Sequence, residues 1–213
     1  MAKPVGILGG TFDPVHHGHL RLALELIQLL DLAEIRLIPL HTPAHRNMPV
    51  ASPEQRLAML QLGIDNETGL LIDDREIIRQ GISYSIDTLT TLRDELDSRP
   101  LCLIMGMDAF QKLNDWREWT LLLDYAHIII VNRPANETHI EQQEIAQLYS
   151  AHCSEDPYIL QRSPAGSIVN INIPMLDISA TRIRQLISTN QTIHYLLPDS
   201  VISYIQKQNL YCN

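Results

Sequence analysis

Cysteine is scarce in this sequence, and its spacing argues against two classes of protein. The chain has 213 residues and three cysteines, Cys102, Cys153 and Cys212, which lie far apart and form no C-x-x-C pair. A small domain held together by disulfides and a zinc site built from thiolates both need more cysteines or closer spacing. We therefore expect free thiols in a reducing compartment, and a cytoplasmic protein.

Long apolar runs and an excess of positive charge are missing as well. The N-terminal apolar run is too short for a signal peptide, and no stretch approaches the roughly 20 apolar residues of a membrane-spanning helix. Lys and Arg number 16 against 25 Asp and Glu, so the formal net charge is −9. Proteins that bind a nucleic-acid backbone normally present a basic surface, so we expect no polynucleotide partner. Because no apolar run is long enough to span a membrane, we expect no membrane partner either. A small anionic substrate stays compatible, since a local cluster of His and Arg can oppose the global charge.

Short apolar runs alternate with helical patterns along the chain. The pattern predicts strands at residues 5–8, 34–39, 70–73, 101–105, 127–131 and 168–173. It predicts helices over 20–30, 86–96, 179–187 and 198–206, and a helix start at 52–55 with Ser52 as N-cap. Ser83 and Ser85 are the cap candidates of the helix over 86–96, and residues 133–167 are expected to form an irregular surface excursion.

The alternation predicts an α/β fold. Nearly unbroken apolar strands indicate a Rossmann-like, doubly wound parallel sheet with helices on both faces and a small C-terminal helical portion. Ligands of such sheets bind at the carboxyl ends of the strands, where the strand order reverses. Chemically reactive residues that directly follow a strand are therefore the candidates for a functional site.

A glycine pair and a histidine cluster follow the first predicted strand. Residues 9–19 read Gly-Gly-Thr-Phe-Asp-Pro-Val-His-His-Gly-His, which is neither a P-loop nor a dinucleotide-binding fingerprint. The glycines allow a sharp turn, and the helix start behind them would direct unpaired N–H groups at an anion. His16 and His19 lie three positions apart, so both rings can donate to phosphate oxygens from one side. A zinc site that uses these rings, and a purely structural role for them, remain as alternatives.

This segment resembles the H-x-G-H signature of the nucleotidyltransferase superfamily, and the full string is most similar to that of bacterial nicotinate-nucleotide adenylyltransferases. The resemblance implies one nucleotidyltransferase domain over residues 1–213. It also implies that His16 and His19 act as catalytic residues that stabilise the triphosphate of ATP, and that Gly18 leaves room for the adenosine. Asp13 is expected to contact the acceptor. Further ATP contacts are expected from Gly9, Gly10, Thr11 and Phe12.

A second hydroxyl-rich helix start lies near the C-terminus. Residues 177–184 read Asp-Ile-Ser-Ala-Thr-Arg-Ile-Arg, with Ser179 as the expected N-cap and Thr181 in the first turn. Such a start is often only a cap, but its N–H groups and a fixed arginine charge also suit an anion. The segment is similar to the superfamily's I-S-[ST]-T-x-I-R element, with Ala180 at one hydroxyl position. The similarity implies that Ser179 and Thr181 bind ATP phosphates and that Arg184 is catalytic.

Several segments between the two motifs resemble the acceptor side of the same family. Residues 81–89 resemble G-x-S-Y-T-I-D-T-L, a helix start that can hold a carboxylate through its N–H groups, although a plain capped helix is the alternative. Residues 43–46 resemble P-P-H-K, and Arg46 is expected to bind an ATP phosphate. Trp116 is expected to stack on the pyridinium ring. The full set expected to bind the acceptor is Asp13, His45, Ser83, Tyr84, Ser85, Asp108, Trp116 and Arg133.

The resemblance implies adenylyl transfer from ATP to nicotinate mononucleotide, with release of pyrophosphate. The acceptor phosphate is largely a dianion at pH 7, because its second pKa is about 6, so no general base is required. Alignment of the substrates and charge stabilisation by cationic His and Arg would suffice, with Mg²⁺ carried by the ATP phosphates rather than by a metal site of the protein.

Two other functions remain open at this point. A sister transferase would have the same chemistry and another acceptor, such as phosphopantetheine or a nicotinamide nucleotide. A nucleotide-binding regulatory module would bind ATP without turnover. Both a monomer and a homodimer are compatible with the sequence.

Overall fold

The computed structural model describes residues 2–44, 47–65, 67–132 and 140–212. The first half contains β1 (Val5–Gly10), α1 (His17–Leu30), β2 (Glu34–Pro39), β3 (Thr42–Pro43), α2 (Pro53–Ile64), β4 (Leu70–Ile72), α3 (Arg75–Arg79), β5 (Ile82–Ser83) and α4 (Ser85–Leu96). The second half contains β6 (Leu101–Gly106), α5 (Met107–Phe110), α6 (Leu122–Tyr125), β7 (His127–Asn132), α7 (Gln143–His152), β8 (Cys153–Ser154), β9 (Ile168–Asn172), α8 (Ala180–Ser188) and α9 (Asp199–Lys207). Three 3₁₀ helices lie at Leu113–Asp115, Trp119–Leu121 and Pro157–Gln161.

Seven strands form one sheet in the order β4-β2-β1-β6-β7-β9-β8. Every neighbouring pair runs parallel. The chain builds outward from β1 through β2 to β4, and then returns to the other side of β1 to build β6, β7 and β9. The strand order therefore reverses between β1 and β6, where the loops diverge and leave a crevice at the carboxyl edge. The prediction of a doubly wound parallel sheet is confirmed. Separately, β3 and β5 form a short parallel pair.

Helices cover both faces of the sheet. Buried side chains of α1, α2, α8 and α9 pack on one face, and those of α4, α5, α6 and α7 pack on the other. Strands enclosed in this way bury both sides, so all six residues of β7 are buried. Among the described residues, no helix combines the length and the apolar character that spanning a bilayer requires.

Two local predictions differ from the structure. The excursion expected over residues 133–167 is wrong for its described part, 140–167, which contains α7 and the edge strand β8. Ile145 of α7 is buried in the core, and β8 pairs with β9, so this part belongs to the packed fold. The serine caps predicted for α4 are also wrong: Tyr84 is the N-cap residue, and its side chain makes no capping hydrogen bond. By contrast, the predicted Ser52–Gln55 capping box of α2 is present.

Candidate active site

The segment between β1 and α1 carries the first predicted motif. Its backbone turns at Phe12, whose φ is 50°, and His16 follows as the N-cap residue of α1 without a side-chain cap. The amide of His17 donates to the carbonyl oxygen of Leu196 at 3.0 Å. One first-turn amide of α1 therefore already has a partner within the protein. Fewer free amides remain at this helix start for an anion than the sequence predicted. The predicted ATP contacts at the carboxyl end of β1 and just beyond it are Gly9, Gly10, Thr11 and Phe12.

His16 and His19 lie face to face at the start of α1. Their ring centroids are 3.7 Å apart with an interplanar angle of 21°, and the Phe12 ring meets His19 edge-on at 5.1 Å. The Nδ1 atoms of both rings are buried and have no hydrogen-bond partner in the described part of the chain.

Burial sets the charge of this histidine pair. It lowers the pKa of His16 to about 4, with the nearby His17 acting in the same direction. It lowers the pKa of His19 to about 3, and His16 acts in the same direction. Both rings are therefore neutral at pH 7 in the free protein, and the expectation of cationic histidines is not met there. Neutral imidazoles still donate one N–H each.

Gly18 is required by the ring of His16. A Cβ atom at Gly18 would lie 2.9 Å from Nδ1 of His16 and 3.5 Å from the carbonyl oxygen of Ile178. Any larger side chain would therefore displace the ring or the backbone facing it. That Gly18 leaves room for adenosine stays a prediction, and the close approach of the His16 ring by itself already favours glycine at this position.

The second motif lies against the first. Ser179 caps α8 by accepting from the amide of Arg182 at 3.2 Å. The guanidinium of Arg184 donates to the backbone carbonyl of Asp13 at 2.6 Å and to the Thr181 hydroxyl at 3.3 Å. The hydroxyl-bearing residues Ser179 and Thr181 are exposed at this end of α8. Together with the approach of Ile178 to Gly18, these contacts bring the two predicted phosphate motifs together at the strand reversal, and the region between them is the candidate crevice.

The carboxylate of Asp13 points into the protein. It is 4% exposed and accepts from the amides of Val50 at 2.9 Å and Ala51 at 3.1 Å and from the Tyr211 hydroxyl at 2.7 Å. Its two oxygens are thus engaged by protein donors, and the expected contact of Asp13 with the acceptor stays a prediction. In the free protein, Asp13 anchors the loop between β1 and α1.

Arg56 of α2 supports the site, although no motif in the sequence pointed to it. Its side chain is fully buried and donates to three backbone carbonyls, those of Thr11 at 2.8 Å, His41 at 3.0 Å and Ala51 at 3.3 Å. Burial lowers the pKa of Arg56, and the charge of Asp13 opposes this effect. One guanidinium therefore joins the loops that follow β1 and β2 to the start of α2. The signal in the sequence was a charged residue within an otherwise apolar helical stripe.

A buried network supports the segment expected to bind the acceptor. The Ser83 hydroxyl accepts from the amide of His41 at 3.0 Å, and the Thr88 hydroxyl donates to Glu76 at 2.5 Å. Burial raises the pKa of Glu76, whose Oε2 has no hydrogen-bond partner within the described ranges. A cavity of about 30 Å³ lies between Glu76, Gly9 and the first turn of α4, which begins at Ser85. The first motif and the acceptor segment therefore border a common space.

The aromatic segment after α5 reaches the same side of the protein. Trp116 is half-buried and packs, with Tyr84, against the core of that face of the sheet. The Arg117 guanidinium lies 5.0 Å from the centre of the Tyr84 ring. Asp108 is exposed in the first turn of α5, directly behind the carboxyl end of β6. The remaining predicted contacts lie outside the described residues: His45, Arg46 and Arg133.

Metal ligands are sparse around this crevice. Across the ranges that the structure describes, no group of three or more His, Cys, Asp or Glu side chains is placed to hold a metal ion. Among these residues, a zinc ion on His16 and His19 would find no third protein ligand of this kind. The donor set of the crevice, which consists of imidazole N–H groups, hydroxyls and a guanidinium, suits an anion instead.

Comparison with known proteins agrees with this arrangement. The model of the cytidylyltransferase-like family matches residues 7–186. A protein of Aeromonas salmonicida named a probable nicotinate-nucleotide adenylyltransferase is 47% identical, over 99% of this chain and 98% of its own. A protein of the same name from Hahella chejuensis is 46% identical, over 98% and 96%.

A solved structure shares the fold at lower identity. Plasmodium falciparum nicotinic acid mononucleotide adenylyltransferase complexed with NaAD superposes with a TM-score of 0.70 at 21% identity, covering 98% of this chain and 97% of its own. The full-length identity to the curated relatives and the family match confirm the resemblance drawn from the two motifs. The chain belongs to the nicotinate-nucleotide adenylyltransferase family of nucleotidyltransferases.

Proposed function

We propose that this protein transfers the adenylyl group of ATP to nicotinate mononucleotide in NAD biosynthesis. The acceptor phosphate oxygen forms a bond to the α-phosphorus of ATP, and the bond from that phosphorus to the bridging oxygen breaks. The products are nicotinate adenine dinucleotide and pyrophosphate. The observation that carries the proposal is the direct contact between the two motifs, in which Arg184 contacts Asp13 and Gly18 faces Ile178. The names of the relatives and of the Plasmodium complex support the choice of substrates.

The triphosphate of ATP binds between the two helix starts. His16 and His19 donate N–H groups to phosphate oxygens, which does not require that the rings be charged in the free protein. Arg184 supplies the fixed positive charge, and its contacts with Asp13 and Thr181 restrict its position. Donors that are held in place in advance stabilise the charge that develops on the leaving pyrophosphate without reorganisation during the step.

The acceptor binds on the side of α4. The first-turn amides of this helix suit the pyridine carboxylate, because the side chain of the N-cap residue Tyr84 makes no capping hydrogen bond and a neutral carboxamide would lose the charge-assisted hydrogen bonds. Trp116 and Tyr84 supply aromatic surface nearby. The acceptor phosphate is mostly a dianion at neutral pH, so positioning replaces a general base.

Magnesium enters as part of the substrate in this proposal, bound to the phosphates of ATP. It would offset the negative charge of the triphosphate and of the leaving pyrophosphate. We further propose that the protein acts in the cytoplasm, as a monomer or a homodimer.

A panel of acceptors tests the function. The purified protein is incubated with ATP, Mg²⁺ and one acceptor: nicotinate mononucleotide, nicotinamide mononucleotide or phosphopantetheine. We expect pyrophosphate release to be fastest with nicotinate mononucleotide. Faster release with another acceptor would assign the protein to a sister activity, and ATP binding without release for every acceptor would indicate a binding module.

The role of the histidine pair is tested by His19→Ala. We expect kcat/KM to fall about 10²- to 10⁴-fold, the range for loss of a donor to a developing charge. The control is His194→Ala, which removes an exposed ring that belongs to neither phosphate motif. An unchanged kcat/KM in His19→Ala would contradict the assignment.

A further inference from the structure

The end of the chain reaches the loop between β1 and α1. After α9 the chain turns back at Leu210, whose amide donates to the carbonyl of Ile205 at 3.0 Å, and this turn directs Tyr211 inward. The Tyr211 side chain is 7% exposed, and its hydroxyl donates to Oδ1 of Asp13 at 2.7 Å, across 198 positions of the sequence. The hydroxyl also lies 4.0 Å from the sulfur of Met59. Tyr211 itself belongs to neither phosphate motif.

Asp13 connects this contact to the crevice. Its carboxylate is held by the amides of Val50 and Ala51 and by Tyr211, while its backbone carbonyl accepts from Arg184 at 2.6 Å. The Arg184 guanidinium also lies 3.8 Å from Oδ2 of Asp13. A shift of Asp13 would therefore move the group on which Arg184 is aligned, and His16 follows only three positions later in the chain.

We propose that Tyr211 is a positioning residue for adenylyl transfer, which acts through Asp13 on Arg184. Its hydroxyl keeps Asp13 in the orientation that presents the backbone carbonyl to Arg184, and Arg184 in turn faces the phosphates. The inference rests on the proposed function and adds Tyr211, which follows α9, to the machinery of that site. Tyr211 itself touches no substrate.

The two parts of the Tyr211 side chain have separable roles. The ring is packed with apolar neighbours such as Met59 and stabilises the fold, and phenylalanine would keep that packing. The hydroxyl is the group that contacts Asp13. Burial together with the charge of Asp13 raises the pKa of Tyr211, so the hydroxyl stays protonated and remains a donor over the working pH range. A purely structural role would thus be visible in stability, and a positioning role in turnover.

Tyr211→Phe is the test, with Tyr204→Phe as the matched control. Tyr204 lies on α9 and is half-buried, and in the described part of the chain its hydroxyl has no hydrogen-bond partner. Pyrophosphate release is measured with the acceptor that the wild-type protein uses, well below the lowest melting temperature of the set. We expect kcat to fall about tenfold in Tyr211→Phe, as for loss of a hydrogen bond to a charged group, with KM for both substrates almost unchanged. Tyr204→Phe is expected to match the wild type.

A double-mutant cycle with Asp13→Ala tests whether Tyr211 acts through Asp13. If it does, Tyr211→Phe slows turnover in the wild-type background but has little effect in the Asp13→Ala background, because the acceptor of the Tyr211 hydroxyl is already absent there. Equal losses of kcat in both backgrounds overturn the inference, as does a Tyr211→Phe variant that melts earlier but keeps the wild-type kcat. Absence of wild-type turnover across the acceptor panel overturns the proposed function and this inference with it.

Discussion

Acidification is expected to destabilise this protein through its stacked histidine pair. In an unfolded chain an imidazole has a pKa of about 6.5. Folding lowers the pKa of His16 to about 4 and that of His19 to about 3. Below pH 6.5 the unfolded state therefore binds protons that the folded state does not bind. The free energy of unfolding falls as the pH falls toward the pKa values of the folded state.

The size of the effect follows from the two pKa shifts. One pKa unit corresponds to about 1.4 kcal/mol, and integrating the proton uptake of the unfolded chain from pH 7.5 to pH 5 gives a cost of about 2 kcal/mol for each ring and about 4 kcal/mol for the pair. A domain of this size has a free energy of unfolding of about 5–15 kcal/mol, so the loss is a large share of the total. The free energy of unfolding is measured by denaturant titration at pH 7.5 and at pH 5.

His19→Asn isolates the contribution of one ring. We expect this variant to lose about 2 kcal/mol less than the wild type between the two pH values, whatever its stability at pH 7.5. The control is His194→Asn, whose ring is exposed in the folded protein, and we expect it to follow the wild type. An equal loss in His19→Asn and the wild type would show that the pair is not held neutral by burial, and the reasoning would be wrong.

Three further predictions follow from the same geometry. Gly18→Ala is expected to lower the melting temperature and kcat, because its Cβ would lie 2.9 Å from Nδ1 of His16, whereas Gly9→Ala, where a Cβ meets nothing within 4 Å, should melt like the wild type. Arg56→Met is expected to lower the free energy of unfolding, measured in urea, by about 3–5 kcal/mol, because three carbonyls lose their donor; a loss below about 1 kcal/mol would contradict this. The value of kcat/KM for the acceptor is expected to fall below a pH of about 6, with the second ionisation of the phosphate. If this decrease of kcat/KM at low pH disappears in His16→Asn, the ionisation belongs to the imidazole and not to the phosphate.

Much of the fold could be predicted from local patterns. The strand over 34–39 has the predicted bounds, and the capping box at Ser52 is present, because both depend on residues close together in sequence. The start of α4 was less predictable. Ser83 was a plausible cap, but its hydroxyl accepts from the amide of His41, which lies on a different loop. The helix α7 was hidden in a segment whose prolines suggested irregular structure.

The candidate site was predictable only in part. The sequence placed His16 and His19 after a strand and Arg184 in a late helix, and the parallel sheet brings these elements to one edge. It could not indicate that the rings stack and lose their charge, since this depends on burial by the neighbouring elements. Nor could it indicate that the Asp13 carboxylate accepts hydrogen bonds from Val50, Ala51 and Tyr211, because these donors lie far away along the chain.

The sequence by itself determined which elements form and which chemical groups stand at their ends. Strand periodicity, the glycine pair and the H-x-G-H spacing are local features, and they sufficed to indicate an α/β nucleotidyltransferase. Only the tertiary structure decided how those groups are held. Arg56 reaches Thr11 across 45 positions, Arg184 reaches Asp13 across 171, and Tyr211 reaches Asp13 across 198. Such contacts depend on the order of the strands and on the packing of helices against them, and no local pattern in the chain encodes that proximity.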